Sequence, residues 1–272
     1  MTGKEAYYVI LELREDFPFQ ELSKLLGGVL GVPAHDAAAG LRRGWGLLYK
    51  TGEPGRAEDV RRKLADGGFE SFVRAASELR PLPPFKTVKK ASVSDRGLVI
   101  TETGQNSVKS ENEFPWSSLN SALVCAGGFL EEEISTDRAG VESGPKLSSV
   151  ITSAAIMIAT GMPSLGKLKP GKKEVAAGKT RQRLNSYLDI ISPVGPAFRV
   201  CGEAFDYSYL GNRKDYSSLV NFRKLAQDVL AFLPKAVKNK GVKALAGGAG
   251  TGFRYANKDE YEAERYWLLQ LI

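Results

Sequence analysis

With 272 residues, 43% of them hydrophobic and 25% charged, the chain has the proportions of a soluble globular protein long enough for two domains. Two cysteines, Cys125 and Cys201, are too few for a disulfide framework and suit a reducing compartment, while the single histidine, His35, excludes His-built metal sites and has no Gly-x-Ser-x-Gly elbow to serve. The net charge of +7 is concentrated: residues 1–80 balance twelve basic against twelve acidic groups, 111–142 hold seven acidic and one basic, and 167–183 hold seven basic groups against Glu174 alone.

In chain order, the N-terminus lacks the apolar core and cleavage site of a secretory leader. "AYYVILELR" alternates, placing Tyr7, Val9, Leu11 and Leu13 on one face of a strand. Pro18 opens a helix in which Leu22, Leu25, Leu26, Val29 and Leu30 form a buried stripe. A short helix, "AHDAAAGL", follows with His35 at its start, then the strand "GWGLLYKT". Arg56 to Asp66 reads as a helix with Ala57, Val60 and Leu64 inward, stopped by Gly67-Gly68, and "FESFVRA" as a third strand. These elements predict a small α/β layer domain over 1–80, with a linker at 81–85 marked by "RPLPP" (Arg80 to Pro84).

Beyond the linker the pattern becomes strand-rich: "FKTVKKASVS", "GLVITET", "FPWSSLNSALVCA", "SYLDIIS" and "AFRVCGEAFDYSYL", with turns at Asp95-Arg96-Gly97 and Thr103-Gly104-Gln105. A strong helix closes the series, its stripe formed by Leu219, Phe222, Ala226, Val229, Leu230 and Leu233 and its end marked by Pro234. Trp116 is expected to pack under this helix. Phe198, Phe205, Tyr207, Tyr209 and Tyr216 are expected mainly in the core, and Glu131-Glu132-Glu133 in a solvated turn. "FPWSSLNSAL", "FRVCGEAFDYSYL" and "NFRKLAQDVL" together resemble bacterial PH-like domains over residues 86–235, interrupted by a helical and basic insertion at 140–185. The resemblance implies an α+β protein whose second domain is an antiparallel β-barrel capped by a C-terminal helix. It implies binding roles and carries no catalytic residues. Residues 236–272 add a Gly-rich stretch and a final helix, with Asn257 and Glu260 as its capping pair. That helix ends in Trp267, Leu268, Leu271 and Ile272, so it must dock on its own chain or on a second copy.

"GMPSLGKL" (161–168) imitates a phosphate-binding loop but has Leu168 in place of the hydroxyl, Pro170-Gly171 where a helix should follow, and a helical pattern from Leu147 to Ile158 where a strand should precede. Gly178-Lys179-Thr180 has the right ending without the earlier Gly, and Ser164-x-x-Lys167 matches a Ser-Lys nucleophile spacing by four residues alone. The run from Val150 to Pro163 is shorter than the roughly twenty residues a membrane helix needs. The sequence thus predicts a cytoplasmic, non-enzymatic adaptor, scaffold or regulatory protein with no cofactor or metal. Its expected anionic-partner residues are Lys167, Lys169, Lys172, Lys173, Lys179, Arg181 and Arg183. A protein partner or an acidic membrane surface leads, at about 1 kcal/mol per basic residue near anionic lipid. A degenerate P-loop enzyme using Lys167 or Lys179 and a non-specific nucleic-acid binder are the alternatives.

Overall fold

The structure, a computed structural model, describes residues 5–12, 17–103, 109–135, 179–249 and 252–272; at 103, 109, 131–135 and 179–183 it describes the backbone alone. The described residues between 5 and 131 and between 184 and 272 form one compact unit. The fold is mixed α+β, as expected. Its described strands form three separate sheets and close no barrel. Among the described residues no helix is long and apolar enough to cross a membrane.

The N-terminal layer follows the predicted order. Strands β1 (Tyr7–Leu11), β2 (Leu47–Thr51) and β3 (Ser71–Ala75) make a sheet in the order β2-β1-β3, with β1 antiparallel to both neighbours. The expected alternation along β1 is broken. The β1–β2 register shifts between Val9 and Ile10, and Val9, Ile10 and Leu11 are all fully buried, so this strand is covered on both faces. Helix α1 (Phe19–Leu30) buries Leu22 and Leu26 and stops at Gly31, whose φ of 70° a side chain would resist. Helix α2 runs from Ala34 to Gly44, a turn longer than predicted, with Ala37 and Leu41 inward and His35 exposed at its start. In α3 (Pro54–Asp66) the buried residues are the predicted Ala57, Val60 and Leu64.

After the irregular segment 80–84, β4 (Phe85–Val88) and β5 (Ala91–Val93) divide one predicted strand between two sheets. One sheet joins β5 to β6 (Gly97–Thr103) and β7 (Lys109–Pro115). The other has the order β11-β8-β9-β10-β4, with β8 at Leu123–Ser135, β9 at Lys179–Ile191, β10 at Ala197–Cys201 and β11 at Val237–Lys238.

Three predicted boundaries are corrected. "FPWSSLNSALVCA" is not one strand: Pro115 has no N–H to extend the ladder, and a helical turn, α4 (Trp116–Leu119), separates β7 from β8. That turn carries Trp116 inward, stacked on Phe232 at 5.0 Å with its indole N–H donating to Ser94 O (2.8 Å), under the predicted helix. "AFRVCGEAFDYSYL" ends as a strand at Cys201. A 3₁₀ helix over Tyr207–Arg213 follows, pinned where the Tyr207 hydroxyl donates to Gly202 O (2.7 Å) and Asp206 accepts from Ser208 N–H (2.9 Å). Phe198, Phe205 and Tyr207 are buried as expected, Tyr209 packs at the edge of the core, and Tyr216 is exposed. Glu131-Glu132-Glu133 lies in β8 rather than in a turn.

The closing helix α5 (Ser218–Phe232) buries Phe222, Leu225, Ala226 and Val229. Beyond it come α6 (Lys240–Ala246), which the sequence reading missed, and α7 (Lys258–Leu269). Asn257 caps α7 as predicted, accepting from Glu260 N–H at 2.9 Å. The five-stranded sheet separates two cores. Val124, Ala126, Leu188, Ile190, Phe198 and Val200 share the first with α5 and the sheet of β5, β6 and β7. Leu123, Cys125, Phe129, Ile191 and Ala197 share the second with α7 and the N-terminal layer. Tyr261, Trp267, Leu268 and Leu269 are all buried there. At about 1.5–3 kcal/mol for each large apolar side chain, this helix docks on its own chain instead of fraying.

Candidate functional site

Docking α7 beside α2 creates a cleft of about 1260 Å³. The C-terminal end of α2 lines it with Leu41, Arg42, Arg43 and Trp45, and the start of α7 lines it with Asn257, Asp259 and Glu260. Phe17 and Phe19, at the entry to α1, supply aromatic surface, and Lys238, Lys240 and Lys243 arrive from β11 and α6.

The aromatic residues brace one another. Phe17 meets Trp45 edge-on at 5.1 Å and Trp267 at 5.6 Å. Trp267 donates its indole N–H to Leu11 O (2.9 Å) and lies so close to Gly46 that a Cβ there would sit 2.1 Å from the ring. Trp45 takes a positive φ of 49°, a conformation that costs of order 1–3 kcal/mol in a bulky residue. Two hydrogen bonds hold it: its backbone N–H donates to Leu41 O (2.7 Å) and its indole N–H to Glu260 O (3.0 Å). The chain thus spends strain to present this indole between α2 and α7.

The charges are arranged unevenly. The Lys240 ammonium lies 4.4 Å from the Trp45 ring centre, 4.6 Å from that of Tyr255 and 3.6 Å from Glu260 Oε1. Lys238 donates to Pro234 O at 3.1 Å. Arg42 rests its guanidinium 5.3 Å from the centre of the Phe19 ring, and neither it, Arg43 nor Lys243 has an ion pair among the described residues. Glu264, at the base, is buried; burial raises its pKa above the usual carboxylate value, against the lowering effect of its hydrogen bond from the Tyr255 hydroxyl. It also accepts from Lys240 N–H at 3.2 Å. Asn239 joins this network to the sheet, exchanging hydrogen bonds of 2.9 Å with both backbone groups of Ala126 and donating to the Tyr255 hydroxyl at 2.7 Å. Burial also pushes the Cys125 thiol well above its ordinary pKa, so it has no thiolate character.

A second polar cluster fixes α7 from behind. Asp189, fully buried, accepts two hydrogen bonds from Arg199 (both 2.7 Å), one from the Tyr261 hydroxyl (2.8 Å) and one from Arg265. Both guanidiniums also lie over the Phe85 ring, at 4.4 and 4.7 Å. This cluster is structural in position, since it ties β9 and β10 to the helix that forms one wall of the cleft.

Of the basic residues predicted from sequence, Lys179, Arg181 and Arg183 lie in β9, where the backbone alone is described. Gly178-Lys179-Thr180 therefore leads into a strand, not into the helix a phosphate loop requires. Lys167, Lys169, Lys172, Lys173, the segment Gly161–Leu168, Ser164 and the predicted helix Leu147–Ile158 lie outside the described residues. Sequence reasoning missed the cleft. Its signals were "RRGWG" at 42–46 and "KNK" at 238–240, two short basic motifs about two hundred residues apart. Compared with protein-family models, curated proteins and solved structures, the chain matches none.

Proposed function

We propose that the protein acts by binding an anionic partner in the cytoplasm, with the cleft between α2 and α7 as its recognition site. One observation carries this reading: Arg42, Arg43 and Lys243 converge around aromatic surface without carboxylate partners among the described residues. Cations beside low-dielectric walls attract anions more strongly than the same charges on an open face. The PH-like reading of residues 86–235 belongs to the same proposal. It is supported by the β4–β5 segment serving two sheets and by α5 sharing a core with both. The seven basic residues between Lys167 and Arg183 enter as a second anionic contact.

Heparin chromatography tests the site. The parent is expected to be retained at about 0.1 M salt, where exposed charges still act over roughly 10 Å. Replacing Arg42, Arg43 and Lys243 by Glu should release it. The same change at Lys24, Lys63 and Lys89, exposed residues outside the cleft, should shift elution far less. Equal shifts from both variants would reduce the effect to net charge and defeat the reading. Neutralising the seven residues from Lys167 to Arg183 forms a separate arm; unchanged elution there removes the second contact alone.

A further inference from the structure

We infer that the cleft takes an acidic peptide segment of a partner protein that carries one aromatic or large aliphatic anchor residue. The inference rests on the proposed binding site and names its occupant.

Size, wall chemistry and shape converge on this class. Pockets for small ligands span about 300–1,000 Å³. At 1260 Å³ the cleft exceeds that range and suits an extended segment. Its accessible apolar surface is the half-buried pair Phe17 and Phe19, backed by the buried Leu41, Trp45 and Leu268; it is suited to one side chain and lacks the row of flat faces that stacks successive bases. Trp45 is already engaged, edge-on by Phe17 and on its face by Lys240.

The charged lining is mixed in a way a peptide matches and a phosphate chain does not. Arg42, Arg43 and Lys243 offer charge to acidic side chains. At the start of α7, Glu260 is held by Ala256 N–H (2.8 Å) and Lys240, while Asp259 presents a carboxylate that repels phosphates but can take a backbone N–H group, which a peptide has and a nucleic acid lacks. A flat bilayer is a poor occupant, because the apolar lining lies inside a cleft and not on a protruding face. Anchor plus flanking charge is the usual division of labour in peptide recognition: a buried apolar residue supplies affinity, and charges supply register and on-rate.

The test measures fluorescence anisotropy of labelled peptides of about ten residues, built from Glu and Ser with Phe at the centre, against the same peptide with Ala there. The parent protein should bind the Phe peptide at least about tenfold more tightly. Both affinities should fall steeply with salt, and Arg42→Ser should weaken both. Phe19→Ser should bring the two peptides together, with its thermal midpoint recorded to show that it folds. Even without that variant, the two peptides on the parent protein decide the matter. Equal, cleft-dependent binding of both would sink the anchor while leaving the anionic site intact. No binding of either by a protein that heparin retains through the cleft would exclude an acidic peptide. No cleft-dependent binding to peptide or heparin defeats the site itself. Cleft-dependent binding of a single-stranded oligonucleotide or of phosphatidylserine vesicles, as tight as that of the Phe peptide, would also overturn the assignment.

Discussion

Removing the Asp189 carboxylate should show how much of the fold depends on the cluster behind α7. Asp189 is fully buried and accepts four hydrogen bonds, three from guanidiniums and one from a phenol. In Asp189→Ala, Arg265, 2% exposed, keeps only Glu262 at 3.6 Å as a carboxylate partner, and the Tyr261 hydroxyl loses its acceptor. Stranding one member of a buried ion pair costs about 3–5 kcal/mol. Arg265→Met is milder: the carboxylate retains both hydrogen bonds from Arg199 and that from Tyr261, and one charge-assisted bond is worth about 1.5–3 kcal/mol. The double variant removes the stranded guanidinium, so its cost should fall short of the sum of the single costs by about 1–3 kcal/mol. Urea unfolding followed by tryptophan fluorescence and far-UV circular dichroism gives each free energy by linear extrapolation. Asp189→Ala within about 1 kcal/mol of the parent, or a double variant additive to within about 0.5 kcal/mol, would refute a coupled buried cluster.

Gly46→Ala should destabilise by about 1–3 kcal/mol, because a Cβ there enters the Trp267 ring and the indole must leave its hydrogen bond to Leu11 O; the urea midpoint measures it, and an unchanged midpoint would mean the ring moves freely. Glu264 gives a pH prediction. Its folded pKa is raised by burial, so the folded state binds its proton more tightly than the unfolded chain, and this contribution is present at low pH and lost as pH rises from the ordinary 4.5 through the folded value. Glu264→Gln should flatten the part of the stability profile that begins near the ordinary 4.5 and extends upward in pH, and a parent profile of the same slope as the variant would contradict it.

Much of the fold was legible where a single period governed the residues. The stripes of α1, α3 and α5 appear where spacing put them because their cores lie on one side. Reading failed where tertiary contacts override period. At β1, coverage on both faces and a bulge defeat alternation. At Trp116 a proline-terminated ladder and an inward indole turn a strand pattern into a helical turn. Helix α6 was missed because Gly241 interrupts its propensity, yet this glycine is required: a Cβ would lie 1.9 Å from Ala126 O. Local chemistry reads this residue as a breaker, and only packing against β8 explains it.

The site was hidden for a different reason. Charge density along a sequence reports how many like charges are neighbours, whereas attraction for a ligand depends on which charges lack partners and what dielectric surrounds them. In the cleft, Lys240 satisfies Glu260 and two aromatic faces, while Arg42, Arg43 and Lys243 carry the surplus. No window of sequence contains both groups. They meet because α7 is drawn onto the N-terminal layer by Tyr261, Trp267 and Leu268 and locked by Asp189. The proposed recognition surface is therefore a consequence of that docking, and stability and binding should be coupled through it. A variant that loosens α7 from the sheet, such as Asp189→Ala, should weaken the cleft's affinity without touching a cleft residue, whereas Arg42→Ser should weaken affinity at unchanged stability.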